Sequence, residues 1–178
     1  MFSTTVVTTF SHPGPTPVNV AEYEAYAKDY LPRIVHGYYA SGANDMITLR
    51  ENRAAFARLR IMPKILIDVT NINTETTILG DRVASPILVA PSAMQRMAND
   101  AGECATAKAA ARINTLMCLS SWSTIPLEEV AASAPGGLRW FQLYVYKDRK
   151  VTMDLIKRAE RAGYKAFAVT VDTPQVRR

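Results

Sequence analysis

From Ser85 onward the sequence alternates short apolar runs with amphipathic, helix-like runs, and this alternation does most to limit the possible folds. The apolar runs are centred on Val89, Leu119, Leu143 and Val169, which lie 30, 24 and 26 residues apart. Strands separated by helices at this spacing predict parallel βαβ units, because a parallel crossover needs a connection of helix length. Two architectures have this pattern, the open doubly wound sheet and the (β/α)8 barrel.

The end of the first of these strands favours one of the two architectures. A nucleotide-binding open sheet usually carries Gly-x-Gly-x-x-Gly after its first strand, where glycines let the backbone approach a phosphate. Here "PILVAPSA" ends in Pro91-Ser92-Ala93 and continues into Met-Gln-Arg-Met without a glycine. The sequence therefore predicts an α/β fold of the (β/α)8 TIM barrel family.

The segment before Ser85 predicts helices followed by short strands. Asn19 stands where a side chain caps a helix with apolar residues at helical spacing, and Pro32 suits the start of a second helix. "MITLRENRAAFARL" predicts a third helix, and "KILIDVTNIN" and "TTILGDRVASP" predict short strands. Residues 1–19, rich in Ser, Thr and Pro, are expected to form a flexible tail.

Charge, cysteine content and histidine content argue against several classes of protein. The net charge of +5 is spread along the chain, without the clustered Lys, Arg and aromatic residues of a nucleic-acid-binding surface. Cys104 and Cys118 are too few and too far apart for a disulfide framework, which favours an intracellular protein. The two histidines lack metal-ligand spacing, and no apolar run has the length of a membrane span, so neither a metal nor a membrane is expected.

Polar or aromatic residues lie two apart, late in three successive predicted strands. The pairs are Ser120 with Trp122, Gln142 with Tyr144, and Thr170 with Asp172. Strand residues two apart face the same side, and the carboxyl ends of parallel strands form the site in such folds. The sequence therefore predicts one pocket of hydrogen-bonding groups, suited to a planar heteroaromatic ligand, although the set contains no evident general base.

Structural explanations exist for some members of this set. Trp122 alone is more often a core residue than a ligand contact, and Thr170 alone could reflect β-propensity. Gln142 is harder to explain in this way, since a buried amide must find partners. Asp172 is expected to be buried after "AFAVTV" and to need a cation or several donors. Three pairs in register favour a site over separate structural roles.

At these residues the sequence resembles the FMN-dependent α-hydroxy-acid oxidases of the glycolate oxidase type. The resemblance runs from about Val20 to Pro174 and is carried by "YYASGA", "LIDVTNI", "APSAMQRMA", "LSSWST", "FQLYVYKDR", "RAERAGYKA" and "TVDTP". It implies a (β/α)8 barrel in a protein of roughly twice the length of this chain. Residues 20–178 would then be an incomplete N-terminal part of that domain, with the preceding helices and about the first four βα units.

The resemblance also implies a cofactor, FMN, and roles for the predicted site residues. The backbone at Pro91, Ser92 and Ala93 would lie against the flavin ring, and its edge would be hydrogen-bonded by Ser120, Gln142 and Thr170. Tyr38 would bind the substrate carboxylate, Tyr144 would hydrogen-bond the substrate oxygen, and Trp122 would wall the pocket. Asp172 would orient a catalytic histidine, which the family carries in the second half of its barrel.

The implied activity is the oxidation of a short (S)-2-hydroxy acid, similar to glycolate or lactate, to a 2-oxo acid. Oxygen would be the electron acceptor and hydrogen peroxide the second product. The alternative is a truncated, catalytically inactive half-barrel, or a partner-dependent fragment, that lacks the catalytic histidine. The resemblance further implies a homo-oligomer and a peroxisomal location, although the chain ends in Val-Arg-Arg rather than in the usual targeting tripeptide.

Overall fold

The computed structural model describes residues 16–173 of the chain, which divides into two compact units between Met62 and Pro63. In the first, helical unit, α1 (Val20–Tyr30), α2 (Arg33–Ala40) and α3 (Ile47–Arg58) follow one another. The Asn19 side chain accepts a hydrogen bond from the backbone N–H of Glu22 at 2.9 Å, so the predicted cap is confirmed. Most of the expected flexible tail, residues 1–15, lies outside the described residues.

The described part of the helical unit has no buried core. From residue 16 to residue 62 no side chain is buried, and Ile34 and Phe56 are 88% and 80% exposed. The rings of Tyr26 and Tyr30 stack with centroids 5.2 Å apart, one helical turn from each other. Such pairs stabilise a helix by only a few tenths of a kcal/mol, about 0.2–0.5 each.

The predicted strand at "KILIDVTNIN" is wrong, because residues 64–73, all described, form bends and irregular backbone instead. Leu66 has a positive φ of 61°, which takes it out of the extended region that a strand requires. The Asp68 carboxylate accepts a hydrogen bond from the backbone N–H of Thr70 at 2.9 Å, a local turn that competes with strand pairing. The apolar side chains of this segment consequently remain exposed.

A β-hairpin follows this segment. It is formed by β1 (Thr76–Ile78) and β2 (Asp81–Val83), which pair antiparallel. Leu79 and Gly80 join the strands with positive φ angles of 48° and 91°, the combination that a tight type I′ turn needs. The hairpin confirms the strands predicted in "TTILGDRVASP".

The remainder of the second unit, the sheet unit, alternates helices and parallel strands as predicted. Its elements are α4 (Gly102–Arg112), β3 (Met117–Leu119), α5 (Leu127–Ser133), β4 (Arg139–Leu143), α6 (Arg149–Arg161) and β5 (Phe167–Val169). The strands lie in the order β3-β4-β5, and both pairs are parallel. In the part of the chain that the structure describes, this sheet stays open and does not close into a barrel.

The first predicted strand of the alternation is reduced to one parallel bridge. Val89 donates its N–H to the Leu116 carbonyl and accepts from the Cys118 N–H, each at 2.9 Å. Pro86 and Pro91 lack the N–H group that a strand ladder uses, so pairing is confined to the few residues between them. The position of this segment beside β3 nevertheless continues the parallel order.

The core of the sheet unit lies between the strands and their helices. Phe141 of β4 is 1% exposed and meets the rings of Tyr164 and Phe167 edge-on, with centroids 5.8 and 6.4 Å away. Full burial of such an apolar side chain contributes roughly 1.5–3 kcal/mol. This packing fixes the carboxyl ends of β3, β4 and β5.

None of the helices in residues 16–173 combines the length and the apolar composition needed to cross a bilayer.

Candidate functional site

A line of hydrogen-bonded side chains crosses the carboxyl ends of β3, β4 and β5. Gln142 donates from Nε2 to Oγ1 of Thr170 at 2.8 Å, and Ser120 donates from Oγ to Oε1 of Gln142 at 3.4 Å. The N–H of Thr170 donates to the Leu143 carbonyl at 3.1 Å, which extends the parallel pairing to the end of the line. Three of the residues predicted from strand register are thus brought together.

Gln142 is the centre of this line and is 4% exposed. Its Oε1 also accepts hydrogen bonds from the N–H and the Oγ of Ser121, at 3.0 and 3.3 Å. The buried amide has therefore found the partners that the sequence required of it. With its oxygen held on the β3 side and its nitrogen on the β5 side, the amide has one orientation.

Trp122 and Tyr144 form an aromatic pair at the same end of the sheet. Their ring centroids lie 5.1 Å apart at an interplanar angle of 41°, and both side chains are half-buried. The N–H of Trp122 donates to Oγ of Ser120 at 3.1 Å. The aromatic pair is therefore attached to the line of Ser120, Gln142 and Thr170, which we call the polar line. The pair combines apolar area with one phenol group.

Two loops border the line, the first site loop (residues 91–97) and the second site loop (residues 120–124). The first contains Pro91, Ser92 and Ala93, of which Pro91 and Ser92 are exposed, and ends in a 3₁₀ turn at Gln95–Met97. The Met94 N–H donates to the Trp122 carbonyl at 3.1 Å, which ties the two loops together. The predicted flavin-loop residues therefore lie beside the predicted aromatic pair.

Glu103, at the start of α4, is a residue that the sequence patterns did not single out. Its side chain is fully buried, and Oε1 accepts from the N–H groups of Gln95 and Thr124 at 3.0 and 2.8 Å. Burial acts to raise the pKa of Glu103, but hydrogen bonds from Thr124 and Gln95 outweigh burial and lower that pKa. A charged carboxylate consequently lies between the two site loops.

A signal for Glu103 was present in the sequence. It shares one helix face with Ala107 and Ala110, at a spacing of four and seven residues, and all three are buried. A carboxylate on an otherwise apolar helix face needs donors from its surroundings. The spacing could have identified Glu103 as buried, but not the loops that supply its partners.

The expected burial of Asp172 is wrong, because its side chain is exposed. Asp172 follows β5, whose outer edge pairs with no other strand among residues 16–173. Without a neighbouring strand on that side, the residues beyond the end of β5 reach solvent. The role of Asp172 toward a histidine stays a prediction.

Tyr38 belongs to the helical unit, where it lies on α2. Its side chain is 46% exposed, and its ring meets that of Tyr39 edge-on at a centroid distance of 5.1 Å. Its expected role toward a substrate carboxylate stays a prediction.

The chemistry of the grouped residues is that of an organic ligand site. They offer two hydroxyls, one oriented amide, one phenol, an indole and the main chain of the first site loop. Among the described residues, no cluster of three or more His, Cys, Asp or Glu side chains could hold a metal ion. Donors and acceptors in one line suit the edge of a planar heteroaromatic ring.

Comparison with known sequences gives a family and close relatives. The profile of FMN-dependent dehydrogenases matches residues 27–178. The glycolate oxidase of Spinacia oleracea is 60% identical over 160 residues, which are 90% of this chain and 43% of that protein. Glycolate oxidase 3 of Arabidopsis thaliana is 57% identical over the same shares. The chain therefore spans less than half the length of these curated relatives.

Comparison with solved structures gives the same kind of protein. A mandelate oxidase mutant with (S)-mandelic acid superposes with a TM-score of 0.86 at 40% identity, over 90% of this chain and 47% of that one. The flavin-binding domain of baker's yeast flavocytochrome b2 also gives a TM-score of 0.86, at 37% identity, over 89% and 42%. The arrangement of helices and strands described above is shared with both.

Proposed function

Because this chain belongs to the family of FMN-dependent dehydrogenases, we propose that the carboxyl ends of β3, β4 and β5 bind the flavin of FMN. The single observation that carries the proposal is the hydrogen-bonded line of Ser120, Gln142 and Thr170. The family uses FMN, and its members are TIM-barrel enzymes, in agreement with the parallel βα order of the sheet unit.

The donor set fits the edge of an isoalloxazine ring, on which carbonyl oxygens and N–H groups alternate. A side-chain amide offers both a donor and an acceptor, and a hydroxyl can act as either. The Thr170 hydroxyl accepts from Gln142, so its own proton can be donated to a ring oxygen. The main chain at Pro91, Ser92 and Ala93 would provide the surface for the flat face of the ring, since Pro91 and Ser92 are exposed.

Bound FMN would supply the electron acceptor for the oxidation of a substrate. In this proposal Ser120, Gln142 and Thr170 orient the ring, and the pair of Trp122 and Tyr144 limits the access of water. The Tyr144 phenol would hydrogen-bond the substrate oxygen, and Tyr38 would bind the substrate carboxylate. Asp172 would act on a histidine that residues 63–178 do not contain.

The names of the relatives support a substrate class for the whole protein. We propose the oxidation of a short (S)-2-hydroxy acid, similar to glycolate or lactate, to a 2-oxo acid with oxygen as acceptor and formation of hydrogen peroxide. The support is the 60% identity to a glycolate oxidase and the likeness to a mandelate oxidase. The same resemblance favours a homo-oligomer and a peroxisomal location.

A second candidate function is flavin binding without turnover, as an inactive or partner-dependent chain. One observation favours it. The Asp172 carboxylate is exposed rather than held beside a base. Binding and turnover therefore have to be measured separately.

FMN binding tests the proposed site directly. We expect the purified chain to quench FMN fluorescence on titration, and Gln142→Leu to raise Kd by about fivefold or more, since truncating a buried hydrogen-bonding group costs about 1–3 kcal/mol. Thr115→Val is the matched control, because the buried Thr115 hydroxyl donates to the Ile87 carbonyl at 2.6 Å, a partner outside both site loops.

Three outcomes separate the candidates. Binding with release of hydrogen peroxide from glycolate supports the oxidase, whereas binding without turnover supports the second candidate. A wild-type chain that leaves FMN fluorescence unchanged refutes both. If Gln142→Leu and Thr115→Val weaken FMN binding equally, the flavin does not bind at the line of Ser120, Gln142 and Thr170.

A further inference from the structure

We propose that Glu103 is a positioning residue, which sets the first site loop at the distance and orientation that the flavin ring requires. Glu103 acts on the first site loop through Gln95 and on the second site loop through Thr124. This inference rests on the proposed function, because it takes the first site loop as a flavin-binding loop.

Glu103 joins both site loops to one rigid helix. Its Oε1 accepts the N–H of Gln95 from the first loop and the N–H of Thr124 from the second, at 3.0 and 2.8 Å. Its Oε2 accepts the Thr124 hydroxyl at 2.7 Å. Hydrogen bonds to a charged acceptor are roughly twice as strong as neutral ones. The carboxylate therefore fixes the separation of the loops at their base.

A carboxylate differs from other side chains at this place because it only accepts hydrogen bonds. The Thr124 hydroxyl must donate to it, which leaves a lone pair of that oxygen to accept the N–H of Arg96 at 3.2 Å. The ionised carboxylate thus makes the Thr124 hydroxyl a donor to Glu103 and an acceptor from Arg96. An amide with its nitrogen at the position of Oε2 would donate to the hydroxyl, so the direction of the bond between residue 103 and Thr124 would be reversed.

The Gln95 side chain carries the restraint to the proposed flavin surface. Thr106 of α4 donates from Oγ1 to Oε1 of Gln95 at 2.6 Å, which turns the amide nitrogen of Gln95 to the Ser92 carbonyl at 3.2 Å. Glu103 holds the backbone of the same Gln95. The first turns of α4 therefore control the orientation of the Ser92 peptide.

The backbone at Gly102 shows how closely α4 begins to the first site loop. Gly102 has a φ of +46°, and a Cβ added there would lie 2.9 Å from Cγ of Arg96. Because glycine adopts this conformation at no steric cost, the helix can start directly against the loop. The position of Glu103 between the loops depends on this approach.

Three variants of the full chain test the inference by FMN binding. Glu103→Ala removes every acceptor, and we expect Kd for FMN to rise at least tenfold and the visible circular dichroism of the bound flavin to change. Glu103→Gln keeps an oxygen for both N–H groups, so Kd should rise less than about threefold. The control is Tyr164→Phe, which removes a buried hydrogen bond to the Leu127 carbonyl, 2.9 Å long, outside both loops.

Hydrogen exchange of the chain without FMN provides an independent readout. In Glu103→Ala the amides of Gln95 and Thr124 should exchange at least tenfold faster than in wild type, whereas Tyr164→Phe should leave both unchanged. If Glu103→Ala fails to fold, Gln95→Ala takes its place, since it removes the side-chain contacts to Ser92 and Thr106 and keeps the backbone bond to Glu103. It should weaken FMN binding and leave the Thr124 amide protected.

The failures are distinguishable. Glu103→Ala that binds FMN within twofold of wild type, with an unchanged flavin spectrum, overturns the inference and leaves the proposed function intact. A wild-type chain that does not bind FMN overturns the proposed function and with it the flavin-positioning role. Unchanged exchange at Gln95 and Thr124 in Glu103→Ala overturns the restraint itself, whatever happens to FMN.

Discussion

Helices α1, α2 and α3 of the helical unit bury none of their residues, whereas α4, α5 and α6 of the sheet unit each bury apolar side chains. Local capping does not explain this difference, since one helix of each unit, α1 with Asn19 and α6 with Asp148, begins at a side chain that accepts a backbone N–H. Local signals therefore suffice to define a helix, but burial is what fixes its position. The polar line and Glu103 lie in the unit that has such burial.

A pair of phenylalanine truncations gives the largest expected contrast between the units. Phe141→Ala should lower the free energy of unfolding by about 3–5 kcal/mol, because it empties the centre of the sheet core. Phe56→Ala, at a side chain that is 80% exposed, should change it by less than about 0.5 kcal/mol. Urea denaturation followed by circular dichroism measures both.

If Phe141→Ala and Phe56→Ala lower the free energy of unfolding by similar amounts, the contrast is contradicted, since the side chain of Phe56 must then be covered in solution. If Phe141→Ala does not fold, Phe141→Leu keeps most of the volume and the comparison remains measurable. Phe141→Leu should lower the free energy of unfolding less than Phe141→Ala does and more than Phe56→Ala does.

A pair of glycine substitutions should have opposite signs. Gly102→Ala should destabilise the sheet unit by about 1–3 kcal/mol, because a left-handed backbone disfavours Cβ and Arg96 must also move. Gly37→Ala, inside α2 with no atom within 4 Å of the added Cβ, should instead stabilise by about 0.5–1 kcal/mol. Midpoints of urea denaturation report both signs.

The sign of the stability change in Gly37→Ala tests what stabilises the helical unit. A gain at Gly37 shows that helix propensity contributes to the measured stability of the helical unit. If Gly37→Ala loses stability, the surroundings of α2 in solution are more crowded than the structure describes.

Ion pairs give the smallest expected contrast. Arg158 donates from Nε and Nη2 to the two carboxylate oxygens of Glu128, at 2.7 and 3.0 Å, and these hydrogen bonds lower the pKa of Glu128. Glu128→Gln should therefore cost at most about 1 kcal/mol near neutral pH. Glu24→Gln, which breaks the more exposed pair with Arg53, should cost less.

The pH dependence of stability identifies the Glu128 contribution. Since the pKa is lowered in the folded state, the contribution is complete above the ordinary glutamate pKa of about 4.3 and is lost as pH falls through the lowered value. Wild type and Glu128→Gln should converge in urea midpoint as the solution is acidified. A difference that persists at low pH would assign the effect to packing.

The parts of the fold that follow from sequence are those in which local pattern and tertiary packing agree. The parallel pairing was predictable from the alternation of strands and helices, and the line of Ser120, Gln142 and Thr170 from the period of two along parallel strands. "KILIDVTNIN" has the composition of a strand, but Leu66 adopts a positive φ and Asp68 forms a local turn. Composition alone does not reveal these backbone choices.

The candidate site residues at the ends of the strands could be predicted from the sequence, whereas the contacts between the two site loops could not. Asp172 reads as buried because its strand is apolar, but the exposure of a strand end depends on neighbours in space rather than in sequence. Glu103 depends on donors 8 and 21 residues away in the chain. Such contacts arise only once the loops after two different strands have met above α4.

The agreement between strand order and chain order has a consequence for how the protein is made. Val89, β3, β4 and β5 pair in the sequence in which a ribosome releases them, so each βα unit can dock on the one before it. Pairing partners close in sequence shorten the loops that have to close and speed folding. The latest strand always carries the open edge, and during synthesis that edge is where pairing with another nascent chain competes with correct growth of the sheet.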